Sequence, residues 1–134
     1  MFTFETKVRV RYAETDQMGY VYYGNYATFY EVARVEMLRS IGQAYSELEK
    51  QGVIMPVTEL FTKYIKPAHY DDELTIKVSI KEIPKIKIRF DYEIFNESEE
   101  LINYGHTQLV FVDMKKNRPC MAPTEFLNKI SVYF

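Results

Sequence analysis

The residues with the clearest chemical potential lie between 12 and 39, YAETDQMGYVYYGNYATFYEVARVEMLR, where an acid, Asp16, and three tyrosines, Tyr20, Tyr22 and Tyr23, share a loop that runs straight into a helix. Gly19 and Gly24 let that loop turn sharply, and Asn25 stands where a helix N-cap would stand. A carboxylate is thereby set beside the free backbone N–H groups of a helix start. Such a pairing can split an acyl bond: the carboxylate attacks the carbonyl or drives water onto it, while the N–H groups hold the developing oxyanion. An aspartate in a loop also serves as a turn former or cap, and clustered tyrosines also serve as interface packing. A cleft lined by the tyrosines would raise the basicity of Asp16 by desolvation, whereas the helix N-terminus would hold it toward the anion.

The surrounding elements must position this stretch. From Phe2 to Tyr12 the apolar residues Phe2, Phe4, Val8, Val10 and Tyr12 fall on even positions, with Glu5, Lys7, Arg9 and Arg11 on odd ones, the alternation of a half-buried strand. A helix is expected from the Asn25 cap to about Ile41, closed by Gly42. At 100° per residue Tyr26, Phe29, Tyr30, Ala33, Met37 and Ile41 share an arc roughly 120° wide, the stripe of a helix laid on a core. Val32, Val35 and Leu38 fall on the other side among Glu31, Arg34, Glu36 and Arg39, a face expected to be partly solvated.

A shorter helix is expected from about Ala44 to Gln51, stopped by Gly52, and strands thereafter. VIMPVTELFTKYIKPA, with Pro56 and Pro67, reads as a strand interrupted near its start and turned at its end. ELTIKVSIKEI places Leu74, Ile76, Val78 and Ile80 on one face, and KIKIRFDYEIF places Ile86, Ile88, Phe90, Tyr92 and Ile94 inward. The very apolar LINYGHTQLVFVDM belongs inside the sheet. Pro84 with Lys85 marks one turn and NESEE another, and the tail PTEFLNKISVYF reads as a helical turn with an edge segment. One strand, one long helix and about four further antiparallel strands make an α+β layout. Apolar residues on outer positions, Phe61, Phe95, Val110 and Val112, point to a second copy covering part of the sheet.

Composition narrows the class. A length of 134 residues suits one domain, 1–134, and 47% hydrophobic with 27% charged residues fits a globular chain. The formal charge of -2 gives no reason to expect nucleic acid as partner. Twelve Tyr and nine Phe exceed what such a core needs, and Tyr is enriched at subunit interfaces. The single cysteine, Cys120, rules out an internal disulfide and suits a reducing cytosol, and it has no nearby His or second Cys to make a nucleophile or metal ligand of it. His69 and His106 have no partner at metal spacing. No run approaches the ~18 apolar residues of a membrane span, and MFTFETKVRV lacks the apolar core of a signal peptide, so a cytoplasmic protein is expected.

The run VRVRYAETDQMGYVYYGNYATFYEVARVEML resembles the signature of the hotdog-fold acyl-CoA thioesterases, of the 4-hydroxybenzoyl-CoA thioesterase type and its bacterial relatives associated with the Tol-Pal system. LVFVDMKKNRPCMAP resembles that family's last central strand and its basic turn. The resemblance implies a five-stranded antiparallel sheet wrapped around one long helix, dimers joined edge to edge, and an active site at the dimer interface. It implies hydrolysis of an acyl-CoA to a carboxylic acid and CoA without metal or bound cofactor, by a homodimer or homotetramer. Asp16 matches the family's catalytic aspartate, which attacks the thioester carbonyl to form an anhydride or activates water. Seven positions later many bacterial members carry His; Tyr23 stands here, so more rests on Asp16. The backbone N–H of Tyr23, with those of Gly24 and Asn25, is the candidate oxyanion hole. Tyr20 and Tyr22 are candidate substrate contacts. Lys85, Lys87 and Arg89 flank the turn into the fourth strand, where related enzymes meet the nucleotide, and are candidate contacts for the CoA phosphates. Lys115, Lys116 and Arg118 form a second basic cluster. The alternative is a hotdog module that binds acyl-CoA or a partner without turnover. A dehydratase or hydratase on the same fold ranks last, since neither histidine lies in the helix-entry loop.

Overall fold

A computed structural model describes residues 1–134. The alternating first segment forms β1, Phe2–Arg9. Val10 is buried beyond its end, but Tyr12 does not continue the inward row. Residues Tyr12–Glu14 make a 3-10 turn that swings the ring into solvent, 77% exposed. A second 3-10 turn, Tyr23–Asn25, leads into α1, Tyr26–Ser40. Tyr26, Phe29, Tyr30, Ala33 and Met37 of the expected arc are buried, and Gly42 ends the helix at φ +73°. The opposite side of α1 is partly solvated, as expected: Glu31, Val32 and Arg39 are exposed and Val35 and Glu36 half-buried, while Arg34 and Leu38 are buried. The chain folds back over them into α2, Tyr45–Lys50: Gln43 donates its N–H to the Leu38 carbonyl (2.9 Å), and Arg34 Nε donates to the Tyr45 hydroxyl (2.9 Å). A neutral tyrosine oxygen thus satisfies a guanidinium that helical periodicity alone would send to water.

The next run is split at Pro56 into β2, Val53–Ile54, and β3, Val57–Tyr64. Then come β4, Glu73–Ile80, β5, Lys87–Phe95, and β6, Leu101–Val110. Five strands form one antiparallel sheet in the order β1-β4-β5-β6-β3, the hotdog layout, with β6 internal and β3 on a free edge. Leu74, Ile76, Val78, Ile80, Ile88, Phe90, Tyr92 and Ile94 are all buried in the same core as the α1 arc. Burying each aliphatic or Phe side chain contributes roughly 1.5–3 kcal/mol. Ile86 is an exception to the expected inward row. The turn after Pro84 runs on to Ile86, so the pleat starts at Lys87 and Ile86 is left 43% exposed.

Among the outer apolar residues Phe61 is exposed, while Phe95, Val110 and Val112 are half-buried within the protomer. Val112 belongs to β7, Val112–Asp113, which pairs with β2 and with β8, Arg118–Pro119, in a small second sheet. The tail is α3, Thr124–Ile130, and a 3-10 turn, with no edge strand. Phe126 and Ile130 are buried, and Tyr133 stacks on Phe2 at 4.0 Å. Helix and sheet are keyed together by Tyr30, which stacks on Tyr92 (4.2 Å) and whose hydroxyl bonds Thr62 (2.9 Å) and Asn103. Gly105 of β6 lies under this contact, where a Cβ would collide with the Phe61 carbonyl oxygen and press on the Tyr30 hydroxyl. No helix is long and apolar enough to cross a membrane.

Candidate active site

Asp16 sits at the closure of a tight turn. Its N–H donates to the Tyr20 carbonyl (2.8 Å), its own carbonyl accepts from the Gly19 N–H (3.0 Å), and Gly19 takes the left-handed φ of +79° that the turn requires. Val21 donates to the Ala68 carbonyl (2.8 Å), fastening the loop to the turn that follows β3. Asp16 Oδ1 accepts two backbone N–H groups, from Met18 at 2.9 Å and Tyr20 at 3.2 Å. Oδ2 makes no hydrogen bond or ion pair with the protein. One carboxylate oxygen is anchored and the other is available.

The helix entry differs from the expectation at Asn25. Its backbone is already helical (φ -77°, ψ -14°) and its side chain caps nothing. The 3-10 turn puts the helical start at Tyr23, so Asn25 lies inside it and its Nδ2 instead donates to the Glu14 carbonyl (2.8 Å). The Asn25 N–H is engaged by the Tyr22 carbonyl (2.9 Å), and the Tyr26 N–H by the Tyr23 carbonyl. The N–H groups of Tyr23 and Gly24 donate to no protein group. They are the open, partly positive end of the helix. Asn25 ties the loop to the helix.

Asp16, Tyr20 and Tyr23 line one cleft of about 280 Å³ together with Met18, Val21, Tyr26 and the segment from Tyr64 to Pro67. The helical period assigns Tyr26 to the core, and no local sequence pattern assigns Tyr64, Ile65 or Lys66 to the cleft. The turn at Pro67 signals where β3 ends, but only the tertiary fold brings that end to the helix entry. Tyr64 donates its hydroxyl to the Tyr23 carbonyl at 3.0 Å and meets the Tyr26 ring edge-on at 5.2 Å. Burial, with a smaller contribution from Tyr64, pushes the Tyr26 hydroxyl up to about 12, which keeps it a neutral O–H. Lys66, the cation of the cleft, is paired with Glu100. Tyr22 is not among the cleft walls; its ring lies against Tyr23 at 4.5 Å.

The predicted basic group does not join the cleft. Lys87 and Arg89 line a separate polar pocket of about 460 Å³ with Lys81, Glu82, Asp91 and Gln108, and Lys85 is not among its walls. Arg89 is paired with Asp91 at 3.1 Å. Tyr64 stands opposite Asn103 on β6 and Lys87 opposite Val110, so the two rows are seven β6 residues apart, roughly 24 Å at about 3.4 Å each. Lys115 and Lys116 form a turn of their own, their N–H groups bonding Asp113. His106 faces neither the core helix nor the cleft, pairing with Glu59 at 3.0 Å and stacking on Phe61.

Residues 10–130 match the family model of the thioesterase-like superfamily. The chain is 35% identical over 120 residues to the acyl-CoA thioester hydrolase YbgC of Escherichia coli O6:H1, covering 90% of each chain. It is 30% identical over 123 residues to the acyl-CoA thioesterase YbgC of Haemophilus influenzae, covering 91% of this chain and 90% of that one. A crystal structure of a DHNA-CoA thioesterase from Staphylococcus aureus superposes with a TM-score of 0.93 at 35% identity, covering 99% of this chain and 91% of that one.

Proposed function

This chain belongs to the thioesterase-like superfamily, and on that premise we propose that it hydrolyses an acyl-CoA thioester to a carboxylic acid and CoA, with Asp16 as the reacting carboxylate. The observation that carries this reading is the one-sided anchoring of Asp16: Oδ1 is fixed by two N–H groups while Oδ2 stays unpaired, in a cleft that also holds Tyr23. Oδ2 attacks the thioester carbonyl carbon, and the resulting oxyanion is held by the N–H groups of Tyr23 and Gly24. Collapse expels the CoA thiolate and leaves a mixed anhydride. Water opens the anhydride, restoring the carboxylate and releasing the acid with a proton that balances the thiolate. In the other course Oδ2 takes a proton from the attacking water and returns it to the leaving sulfur. Both courses use the same groups.

Tyr20 and Tyr23 border the acyl group in this reading, and Lys87 and Arg89 meet the CoA phosphates. A dimer reconciles the distance between them. The free β3 edge exposes Val57, Leu60, Phe61 and Tyr64, each at 45%. Antiparallel pairing of two such edges sets Tyr64 against the partner's Val57. Each cleft then meets the sheet end that carries the partner's Lys87 and Arg89. The test is a panel of short, medium, long and aromatic acyl-CoAs, followed by release of free CoA. Wild-type protein should turn over at least one class, and Asp16→Asn should lose on the order of a hundredfold or more in kcat. Acyl-CoA binding without thiol release by wild-type protein would identify a binding module instead.

A further inference from the structure

We propose that Tyr64 is a positioning residue for the oxyanion-holding turn, an inference that rests on the thioesterase reading above. The Tyr23 carbonyl accepts two hydrogen bonds, from the Tyr26 N–H inside the helix and from the Tyr64 hydroxyl across the cleft at 3.0 Å. Both lone pairs of that oxygen are therefore engaged, and the plane of the Tyr23–Gly24 peptide is fixed from the helix side and the sheet side. Hydrogen bonds at a peptide oxygen draw electron density from its nitrogen, so the Gly24 N–H becomes a stronger donor. All peptide bonds are trans, so that N–H points away from the oxygen Tyr64 holds. The Tyr23 N–H, the second free donor, belongs to the same tethered residue.

The turn needs such a tether. Tyr22, Tyr23 and Gly24 are all exposed, and Gly24 has no side chain to limit its own rotation. Tyr64 is itself well held, since its strand is registered against Asn103 and its ring rests edge-on against the buried Tyr26. Its hydroxyl is the side-chain donor that links the sheet edge to the helix start.

Tyr64→Phe keeps the ring and removes only the donor. With benzoyl-CoA as the probe, kcat should fall roughly three- to tenfold, as expected for one lost hydrogen bond that acts in the transition state, with KM within about twofold. The melting temperature and oligomeric state should stay those of wild type. Independently of turnover, the Tyr23 carbonyl-carbon and Gly24 amide-proton resonances should both move upfield. A wild-type kcat, a rise in KM alone, or an unmoved Tyr23 carbonyl resonance would overturn the proposal. Asp16→Asn run in parallel separates the two possible failures. Wild-type turnover by Asp16→Asn would remove the thioesterase site and Tyr64's role with it. An inactive Asp16→Asn beside a wild-type Tyr64→Phe would remove only Tyr64.

Discussion

The two ends of the paired strands β3, β6 and β5 offer a substrate different things. At the Tyr64 end a cleft of about 280 Å³ has mostly aromatic and aliphatic walls around one half-anchored carboxylate. The N–H of Tyr23, which lines the same cleft, and that of Gly24 next to it in the chain donate to no protein group. At the Lys87 end a larger pocket, about 460 Å³, is walled almost entirely by polar and charged groups, and its Asp91 is shared between Arg89 at 3.1 Å and Lys81 at 4.0 Å. A carboxylate paired with two cations is a poor nucleophile or base, whereas Oδ2 of Asp16 in the smaller space is unpaired, which is why the proposed chemistry is placed there. An exposed ion pair such as Arg89–Asp91 is worth only about 0–1 kcal/mol, so its guanidinium can be re-paired with a phosphate at little cost. In the proposed reading, size marks where a large polar ligand fits, and the unpaired groups mark where a bond is broken.

This division can be broken at its hinge. Gly105 lies on β6 between the two ends, opposite Thr62 and Tyr92. Because a Cβ there would strike the Phe61 carbonyl and the Tyr30 hydroxyl, Gly105→Ala should cost about 3 kcal/mol or more, or prevent folding. Thermal melting measures this, and a wild-type melting temperature would show that β3 docks without that close approach. Next in size, Lys87→Ala combined with Arg89→Ala should raise KM for an acyl-CoA roughly tenfold and leave kcat within about twofold. A collapse of kcat instead would merge the two ends into one function.

The smallest effect concerns pH. Burial pushes Tyr26, which lines the cleft, and Tyr92, in the core between the ends, up to about 12 from an ordinary value of 10.0. Unfolded tyrosines ionise first, so the stability these groups contribute is complete below pH 10 and is lost as pH rises toward 12. The melting temperature should be insensitive to them below pH 10 and fall above it, with a shallower fall in Tyr92→Phe. A flat profile between pH 10 and 12 would contradict their burial.

Much of this architecture is legible in the sequence because it is periodic. The α1 arc and the alternations of β1, β4 and β5 follow directly from which residues seek the core. The burial of Arg34 and Leu38 is less legible, because they lie just outside the apolar arc: Leu38 joins the main core, and Arg34 is held by the Tyr45 hydroxyl of α2, a partner that the helix's own period does not display. The sheet of β2, β7 and β8 was hidden for a different reason: two-residue strands carry no period at all. At the site, Asp16 and the Tyr23–Gly24 turn are local, and their spacing announces them. Tyr64 and Lys66 reach the same cleft through the register of an edge strand, which a single sequence does not display. Asn25 has the residue type of a cap, but the 3-10 turn one step earlier takes that position and leaves it to bond Glu14.

Steady-state kinetics of Asp16→Asn on an acyl-CoA that the wild type hydrolyses tests most directly whether the chemistry belongs to the Tyr64 end. The expected result is a kcat lower by on the order of a hundredfold or more, with KM near that of wild type and an unchanged melting temperature. An Asp16→Asn protein that hydrolyses the same acyl-CoA at the wild-type kcat would contradict it.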